Sequence, residues 1–241
     1  FDTGMTRLGF DPAEADSVFS FINKNDLYPE GIYSHFATAD EGDLSYAESQ
    51  LKQFNEIVEK GKSLGIDFSY VHCSNSGAIL NLPNAYFNLI RVGMLLYGVP
   101  PSDEVPMDIP VEPVMSFCGP IVNVRRVKAG TQVSYGGVYS TEKDTNIAVI
   151  QTGFADGFPR SWYEKGYVSY GGQNYKIAGR VCMDQLMVDF GDKEPEEGEE
   201  VLFFGRKDEN EIPVETIAEA IGTTTYVLLT DIHGRTKRII V

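Results

Sequence analysis

The chain has 241 residues, of which 42% are hydrophobic and 23% charged, an ordinary composition for a globular protein. Its formal net charge of −15 repels nucleic-acid phosphates, so nucleic acid is not an expected partner, and its apolar runs are shorter than the ~18 residues that span a bilayer. The three cysteines, Cys73, Cys118 and Cys182, have the spacing of neither a disulfide framework nor a metal site, which favours a reducing, cytoplasmic setting.

The first hundred residues alternate short apolar runs with helical patterns. Strands are predicted at 31–36, 68–72 and 88–97, a long helix at 46–64 and a short helix at 75–80. This alternation predicts a parallel sheet, in a barrel or a doubly wound fold. An eight-stranded barrel needs roughly 250 residues. With about three strands in this part, we expect about half a barrel. The chain also opens at Phe1 without an initiator Met, so we expect a preceding segment outside this sequence.

A proline-rich connector covers residues 98–113, with five prolines. After it, short strand-like runs separated by Gly and Asp/Asn turns predict a mostly antiparallel β domain, with strands at 121–124, 132–135, 147–152, 167–170, 175–177, 186–190 and 201–204. One helix is predicted at 214–221, ended by Gly222. We therefore divide the chain into residues 1–104 and residues 105–241.

Taken singly, the candidate functional residues are ambiguous. His35 and His72 each follow an apolar strand and could be core or loop histidines. Cys182 could be a nucleophile, but a buried apolar role is the better interpretation. Arg91 differs, because it lies within an apolar run predicted as a strand. Burying an arginine is costly unless an acceptor or an anion meets it, so we assign Arg91 a function.

Seven motifs occur together in one order: DTGMTRLG at 2–9, HFATAD at 35–40, HCSNS at 72–76, RVGM at 91–94, VSYG at 133–136, ADG at 155–157 and GRVCMDQ at 179–185. With these motifs, the chain resembles the alanine racemases over residues 1 to about 230. The resemblance implies the C-terminal part of a TIM-like α/β barrel followed by a β domain. It also implies an isomerase that binds pyridoxal 5′-phosphate and works as a homodimer with shared active sites.

The resemblance implies cofactor-binding roles for Arg7, His72, Asn75, Ser76, Arg91, Gly93, Met94 and Tyr226. Ser76, Gly93 and Met94, with Tyr226, match the phosphate-binding positions. Arg91 matches the arginine that faces the pyridine nitrogen, supported by His72. Since arginine keeps its proton, it donates to an unprotonated ring nitrogen, which weakens the ring as an electron sink.

Tyr135 matches the base on one face of the substrate carbon, and Arg7, Met183 and Tyr135 match substrate-binding positions. Supporting or corridor positions are implied for His35, Cys182, Asp184, Phe154, Arg160 and Arg180, and no metal is expected. Two positions depart from the family. Phe154 replaces a usual tyrosine at the corridor, and the residues after Tyr226 differ from the usual pattern.

The second base of the family is the lysine that carries the cofactor as a Schiff base. None of the lysines here stands in its motif, so the sequence lacks it. The leading interpretation is interconversion of L- and D-alanine by two-base proton transfer, supplying peptidoglycan precursors in the cytoplasm.

The nearest alternative is a serine racemase of the glycopeptide-resistance type. Some of those enzymes carry an upstream membrane domain, which would place this part at the cytoplasmic face. The small amino-acid substrate is thus alanine or serine. A non-catalytic cofactor-binding protein on the same barrel and a barrel-type amino-acid decarboxylase are further alternatives, disfavoured by the β domain and by the Met183-Asp184-Gln185 context respectively.

Overall fold

A computed structural model describes residues 1–232 and 234–240. The chain divides into two compact units, Phe1–Glu112 and Pro113–Val241. The division falls at the end of the proline-rich connector, whereas the sequence analysis placed it between residues 104 and 105. Over the described residues, no helix is both long and apolar enough to cross a membrane.

Unit 1 combines helices with a short parallel sheet. Its helices are α1 (Ala15–Lys24), α2 (Ser45–Ser63) and α3 (Ser76–Asn81), and its strands are β1 (Gly31–Tyr33) and β2 (Tyr70–His72). Single 3-10 turns lie at Pro12–Glu14, Pro83–Ala85 and Met94–Tyr97. The two strands pair in parallel, with Ile32 opposite Val71. The parallel arrangement expected from strand–helix alternation is present in this pair.

Helix α2 forms because its apolar residues recur at helical spacing. Leu51, Phe54, Ile57 and Val58 are all buried and belong to the core of unit 1, as predicted. Helix α3 is also where the sequence placed it. The side chain of Asn75 accepts a hydrogen bond of 3.0 Å from the Ala78 amide and so caps its N-terminus.

The strand predicted at 88–97 is wrong. Residues 88–93 have no regular secondary structure, and a 3-10 turn covers Met94–Tyr97. Side chains replace the expected strand ladder: the Val71 amide donates to Oδ1 of Asn88, and the Gly93 amide donates to Oγ of Ser76. The Arg91 amide still donates to the Ser74 carbonyl at 3.0 Å. Met94 and Leu95 of this segment are buried, whereas Ile90 and Leu96 are exposed, so its apolar residues do not mark one buried strand.

Unit 2 is built on an antiparallel sheet in the order β11-β10-β3-β6-β9-β8-β7. The strands are β3 (Phe117–Val127), β6 (Thr145–Ile150), β7 (Tyr167–Tyr170), β8 (Gln173–Ile177), β9 (Leu186–Asp189), β10 (Glu200–Lys207) and β11 (Asn210–Ile212). A small hairpin joins β4 (Gln132–Val133) to β5 (Tyr139–Ser140). Strand β10 pairs with β3 and also with β7, where Leu202 lies opposite Ser169. The six strands β3, β6, β9, β8, β7 and β10 therefore close into a ring around a core of buried aromatic and aliphatic side chains.

Helix α4 (Val214–Ile221) and helix α5 (Thr225–Asp231) follow the sheet. The α4 prediction is confirmed, and Gly222 ends the helix with a left-handed φ of 68°. Sequence analysis missed α1, β5, β11 and α5. It also extended the 132–135 strand too far, since the strand ends at Val133 and Tyr135 begins a 3-10 turn at Tyr135–Gly137. The positive φ of Ser134, 66°, breaks the extended chain there.

The core of unit 1 yields a stability prediction. Phe54 has no exposed surface and packs edge-on against Phe87 with ring centroids 5.4 Å apart. We expect Phe54→Ala to lower the free energy of unfolding by about 3–5 kcal/mol, since it leaves a cavity. Urea titration followed by circular dichroism measures this loss. Phe21→Ala, at a phenylalanine that is 61% exposed, is the matched control and should cost far less. Equal costs would contradict the assignment of Phe54 to the core.

Candidate active site

Unit 1 contains a cavity of about 230 Å³ at the end of β1. Its walls come from the N-terminal loop, from the residues that follow β1 and from the segment after β2. They are formed by Phe1, Asp2, Met5, Arg7, Leu8, Tyr33, Ser34, His35 and Arg91. Two arginines and a histidine thus face one small space, beside a single carboxylate, Asp2. The cavity is suited to an anionic ligand.

Arg91 is the most highly connected side chain of this cavity. Its Nη1 donates to Nδ1 of His72 at 2.5 Å, and its Nη2 donates to Nδ1 of His35 at 3.1 Å. Nη2 also donates to the carbonyl of Ser34 at 2.9 Å and to that of Cys73 at 3.3 Å. The ends of β1 and β2 therefore share one guanidinium. The expectation that acceptors meet this arginine is confirmed, although the segment around it is not a strand.

These contacts determine the protonation of both histidines. A guanidinium carries only donors, so each Nδ1 must be an acceptor. His35 and His72 are then neutral, with their proton on Nε2. Burial lowers the pKa of His35, and the charges of Arg91 and Arg7 lower it further. Burial and then Arg91 lower the pKa of His72. The His72 ring also stacks on Tyr33, with centroids 5.3 Å apart, which holds its plane.

Asp2 organises the loop that carries Arg7. Its carboxylate accepts hydrogen bonds from the amides of Gly4 at 3.0 Å, Thr6 at 2.9 Å and Arg7 at 2.6 Å. These N–H donors, Thr6 first and Gly4 next, lower the pKa of Asp2. Because its carboxylate is engaged with the backbone, Asp2 shapes the loop around Arg7, whose side chain lines the cavity.

Ser76 marks a second part of unit 1. Its hydroxyl accepts from the Gly93 amide at 2.9 Å and from the Leu95 amide at 3.4 Å, so the start of α3 lies against the 3-10 turn Met94–Tyr97. The first N–H groups of a helical turn have no partner within it. Three of the four sequence-predicted phosphate positions, Ser76, Gly93 and Met94, therefore come together here. The fourth, Tyr226, lies on α5 in unit 2 and is 43% exposed.

The 3-10 turn Tyr135–Gly137 presents Tyr135 to solvent in unit 2. Ser134, Gly136 and Gly137 all have left-handed φ values, and the Tyr135 side chain is 68% exposed. Ser134 Oγ donates to the Arg180 carbonyl at 2.6 Å, which pins the turn to the segment 179–185. A methyl group built on Gly136 would lie 3.4 Å from Nη1 of Arg180. Tyr135 and Arg180, to which the resemblance gave separate roles, thus lie on neighbouring segments.

The remaining unit 2 candidates lie on two loops in close contact. The Phe154 amide donates to the Cys182 carbonyl and the Ala155 amide to the Met183 carbonyl, both at 3.0 Å. A Cβ on Gly153 would approach the Met183 oxygen to 2.2 Å, so only glycine permits this spacing. Met183 is 56% exposed. The loop 182–185 therefore presents the Met183 side chain outward while its carbonyls bind the neighbouring loop.

An ion-pair network closes the same region. Arg235 donates to Asp184 at 2.7 Å and its Nε lies 3.4 Å from Asp156. The guanidinium of Arg160 lies 5.7 Å from the centroid of the Phe154 ring, a cation–π contact. Of these residues, sequence analysis assigned no role to Asp156 or Arg235. Asp156 was visible only as part of the ADG motif, and Arg235 only as a departure from the family ending.

Other contributors were missed because sequence patterns do not reveal them. Thr3, Ser34 and Gln50 are buried polar residues beside the cavity. Gln50 occupies a core-facing position of α2, where the helical pattern alone leads one to expect an apolar residue. Among the described residues, no group of three or more His, Cys, Asp or Glu side chains is arranged to hold a metal ion.

Comparison with known proteins identifies the family. The model of the alanine racemase C-terminal domain matches residues 114–240, and the model of the N-terminal domain matches residues 1–101. The chain belongs to the alanine racemase family. It is 40% identical over 242 residues to the alanine racemase of Carboxydothermus hydrogenoformans, covering 100% of this chain and 66% of that protein. The alanine racemase of Desulforamulus reducens is 41% identical, with 99% and 65% covered.

Solved structures of the family match over nearly the whole chain. Alanine racemase from Streptomyces coelicolor A3(2) superposes with a TM-score of 0.94 at 36% identity, covering 99% of this chain and 64% of that structure. A structure from Bacillus anthracis with bound L-Ala-P gives a TM-score of 0.86 at 34% identity, with 97% and 61% covered. The chain thus spans a little under two thirds of the alanine racemases it matches.

The two neutral histidines make a prediction about pH. Their unfolded pKa is about 6.5, and the folded pKa is lower, so in that window the unfolded chain binds more protons. Stability should therefore fall as pH drops below about 6.5. In His72→Asn, Oδ1 remains an acceptor for Arg91 but cannot be protonated, so we expect a smaller stability loss between about pH 7.5 and 5.5. Urea titrations at both pH values measure it. An unchanged pH dependence would contradict a neutral His72.

The close contact at Gly153 makes a second prediction. Gly153→Ala places a methyl group within 2.4 Å of the Cys182 and Met183 oxygens and must separate the two loops. We expect a stability loss of about 1–3 kcal/mol, as for other overpacked sites. Thermal unfolding measures the loss. Gly42→Ala is a suitable control, because its added methyl would meet only the end of the flexible Glu104 side chain. An unchanged melting temperature in Gly153→Ala would argue against this loop contact.

Proposed function

We propose that the full-length protein is a pyridoxal 5′-phosphate-dependent racemase that interconverts L- and D-alanine. The observation that carries the proposal is Arg91, a guanidinium held in the cavity by two neutral histidines. The substrate assignment follows the relatives, which are named alanine racemases, and the Bacillus anthracis structure with L-Ala-P. No observation favours serine as the substrate. We further propose that unit 1 is the C-terminal part of an α/β barrel and that the enzyme supplies D-alanine for peptidoglycan in the cytoplasm.

Arg91 has N–H groups left over that could donate hydrogen bonds to this cofactor. Arginine has five N–H donors, and the acceptors around Arg91 engage Nη1 once and Nη2 fully. Its Nε–H and the second Nη1–H have no acceptor among the described residues. A pyridine nitrogen without a proton is an acceptor that suits these donors. Because Arg91 does not release a proton, it would leave that nitrogen unprotonated and so disfavour reactions that need a stronger electron sink.

The second anchor is the Ser76 cluster. The Ser76 hydroxyl keeps its own hydrogen to donate, and the Met94 amide at the start of the 3-10 turn is a donor of the kind that holds a phosphate. The Gly93 amide holds Ser76 in place, and Asn75 fixes the start of α3. We assign Tyr226 to the same phosphate by the family resemblance. When bound, the cofactor withdraws electrons from the amino acid and so makes its α-hydrogen acidic. Arg7 in the cavity wall offers a cation for the carboxylate of the amino acid, and His72 supports Arg91.

Proton transfer is assigned to Tyr135. Its exposed phenol is carried by a turn pinned to the segment that holds Arg180, Cys182, Met183 and Asp184. We propose that Tyr135, with the Met183 backbone, completes the cavity of a second subunit, where His35 would contact it. The assembly would then be a homodimer with shared active sites. Phe154 and Arg160 would border the substrate corridor with Arg180. The base for the opposite face is the lysine that the family has in an upstream segment.

A single variant tests the role of Tyr135. Tyr135→Phe keeps the ring but removes the proton-accepting oxygen, so racemisation by the full-length enzyme should fall about 10²–10⁴-fold in both directions. Exchange of the α-proton with deuterated solvent should be lost from L-alanine and persist from D-alanine, since the other face keeps its base. Mass spectrometry of each enantiomer measures this exchange.

Tyr175→Phe is the matched control, because the Tyr175 hydroxyl bonds only Gln173 among the described residues, on the same β8 strand. It should racemise at the wild-type rate. Equal loss of exchange from both enantiomers would contradict a base that serves one face. Racemisation by Tyr135→Phe at the wild-type rate would exclude Tyr135 as the base.

A further inference from the structure

Gln50 is a buried polar side chain with no role in the proposed reaction. It is 1% exposed and lies on α2 among Ala47, Leu51 and Phe54, on the face that packs into the core of unit 1. A buried amide costs free energy unless its donors and its acceptor are all satisfied. An apolar residue would fill this position at no such cost. The polar side chain of Gln50 is therefore expected to make specific hydrogen bonds.

The hydrogen bonds of Gln50 all reach towards the cavity. Its Nε2 donates to the His35 carbonyl at 3.0 Å and to Oγ1 of Thr3 at 3.3 Å. Its Oε1 accepts from the Ala37 amide at 3.0 Å. One primary amide thus holds the carbonyl of residue 35 and the amide of residue 37, as a neighbouring strand would, just beyond the end of β1. Both donors of the amide are engaged, so its orientation is fixed.

The contacts continue from Gln50 to Arg91. The hydroxyls of Thr3 and Ser34 share a buried hydrogen bond of 2.6 Å. The Ser34 carbonyl then accepts from Arg91, and so does Nδ1 of His35. Through Thr3 and through the His35 backbone, Gln50 therefore reaches two of the acceptors that hold Arg91.

The same face of α2 supports the N-terminal loop. One helical turn before Gln50, the hydroxyl of Tyr46 donates to the Gly4 carbonyl at 2.9 Å. Tyr46 and Gln50 together hold residues 3 and 4, from which the loop runs to Arg7. Helix α2 is thus connected to the backbone of His35 and to the loop that carries Arg7.

We propose that Gln50 is a positioning residue for the active site: its buried amide sets the His35 ring against Arg91 and holds the loop that carries Arg7. The proposal rests on the proposed function for its effect on turnover, but its structural part can be tested without turnover. Gln50 acts through His35 and Thr3.

Gln50→Glu separates positioning from simple packing. Glutamate has the same shape, and its carboxylate still accepts from the Ala37 amide. When ionised it cannot donate to the His35 carbonyl or to Thr3, and when protonated it donates once. Burial raises the pKa of a glutamate at such a site. The ratio of variant to wild-type kcat/KM should then fall as pH rises, by about tenfold to a hundredfold, as expected for a displaced catalytic group.

The readout that does not need turnover is the ring nitrogen of His35. In the full-length protein labelled with ¹⁵N-histidine and loaded with pyridoxal 5′-phosphate, His35 Nδ1 should give the signal of an acceptor nitrogen, assigned by its loss in His35→Gln. In Gln50→Glu at high pH, this signal should shift or broaden. Thr3→Val, which keeps the shape but removes the hydroxyl, should cause a smaller shift in the same resonance.

Gln53→Glu is the matched control, because Gln53 lies on the exposed face of α2. It should leave the His35 signal and its pH dependence unchanged. A wild-type His35 signal in folded Gln50→Glu and in Thr3→Val would overturn the proposal. If Gln50→Glu does not fold, Thr3→Val alone decides it. If the wild-type protein has no racemase activity but the variants still alter the His35 signal, the proposed function is contradicted and the positioning role of Gln50 is supported.

Discussion

A guanidinium that can only donate determines much of the chemistry in unit 1. Because Arg91 offers no acceptor, whatever surrounds it must accept, and this requirement makes His35 and His72 neutral and turns two carbonyls towards it. The carbonyls come from residues 34 and 73, just past the ends of β1 and β2. The parallel pairing of these strands brings their ends together. One cation and two strand ends thus define the polar wall of the cavity.

In unit 2, the side chains of the candidate residues are exposed, whereas the backbone of their loops is held by hydrogen bonds and close contacts. Tyr135 and Met183 project outward, while Ser134 and Gly153 press their loops against the segment 180–184. Loops held firmly by a scaffold, with exposed side chains, are a common place for binding and catalytic residues. Unit 1 thus holds a cationic cavity, and unit 2 presents an exposed phenol.

Sequence analysis predicted the elements whose periodicity was strong. Helix α2 and most strands of unit 2 follow from apolar spacing and from turn residues. The 88–97 segment was misassigned because an apolar run resembles a buried strand, although Ile90 and Leu96 in it are exposed and it has no strand partner. The roles of Tyr135 and Arg91 came from resemblance, and the structure adds the acceptors around Arg91. Gln50 and Arg235 could not be found, since their importance depends on partners distant in sequence.

The closure of the unit 2 sheet has a consequence for how the protein forms. Strand β3 opens the unit, yet one of its neighbours is β10, with Gly119 opposite Val201. The ring cannot close until most of the unit has been synthesised, and such non-local pairing slows folding. Until β10 arrives, β3 exposes an edge able to pair with another chain. In unit 1, β1 and β2 are joined by a single helix, so they can pair as soon as both have been synthesised. During synthesis, the cavity would therefore take shape before the tyrosine that we assign to a neighbouring subunit.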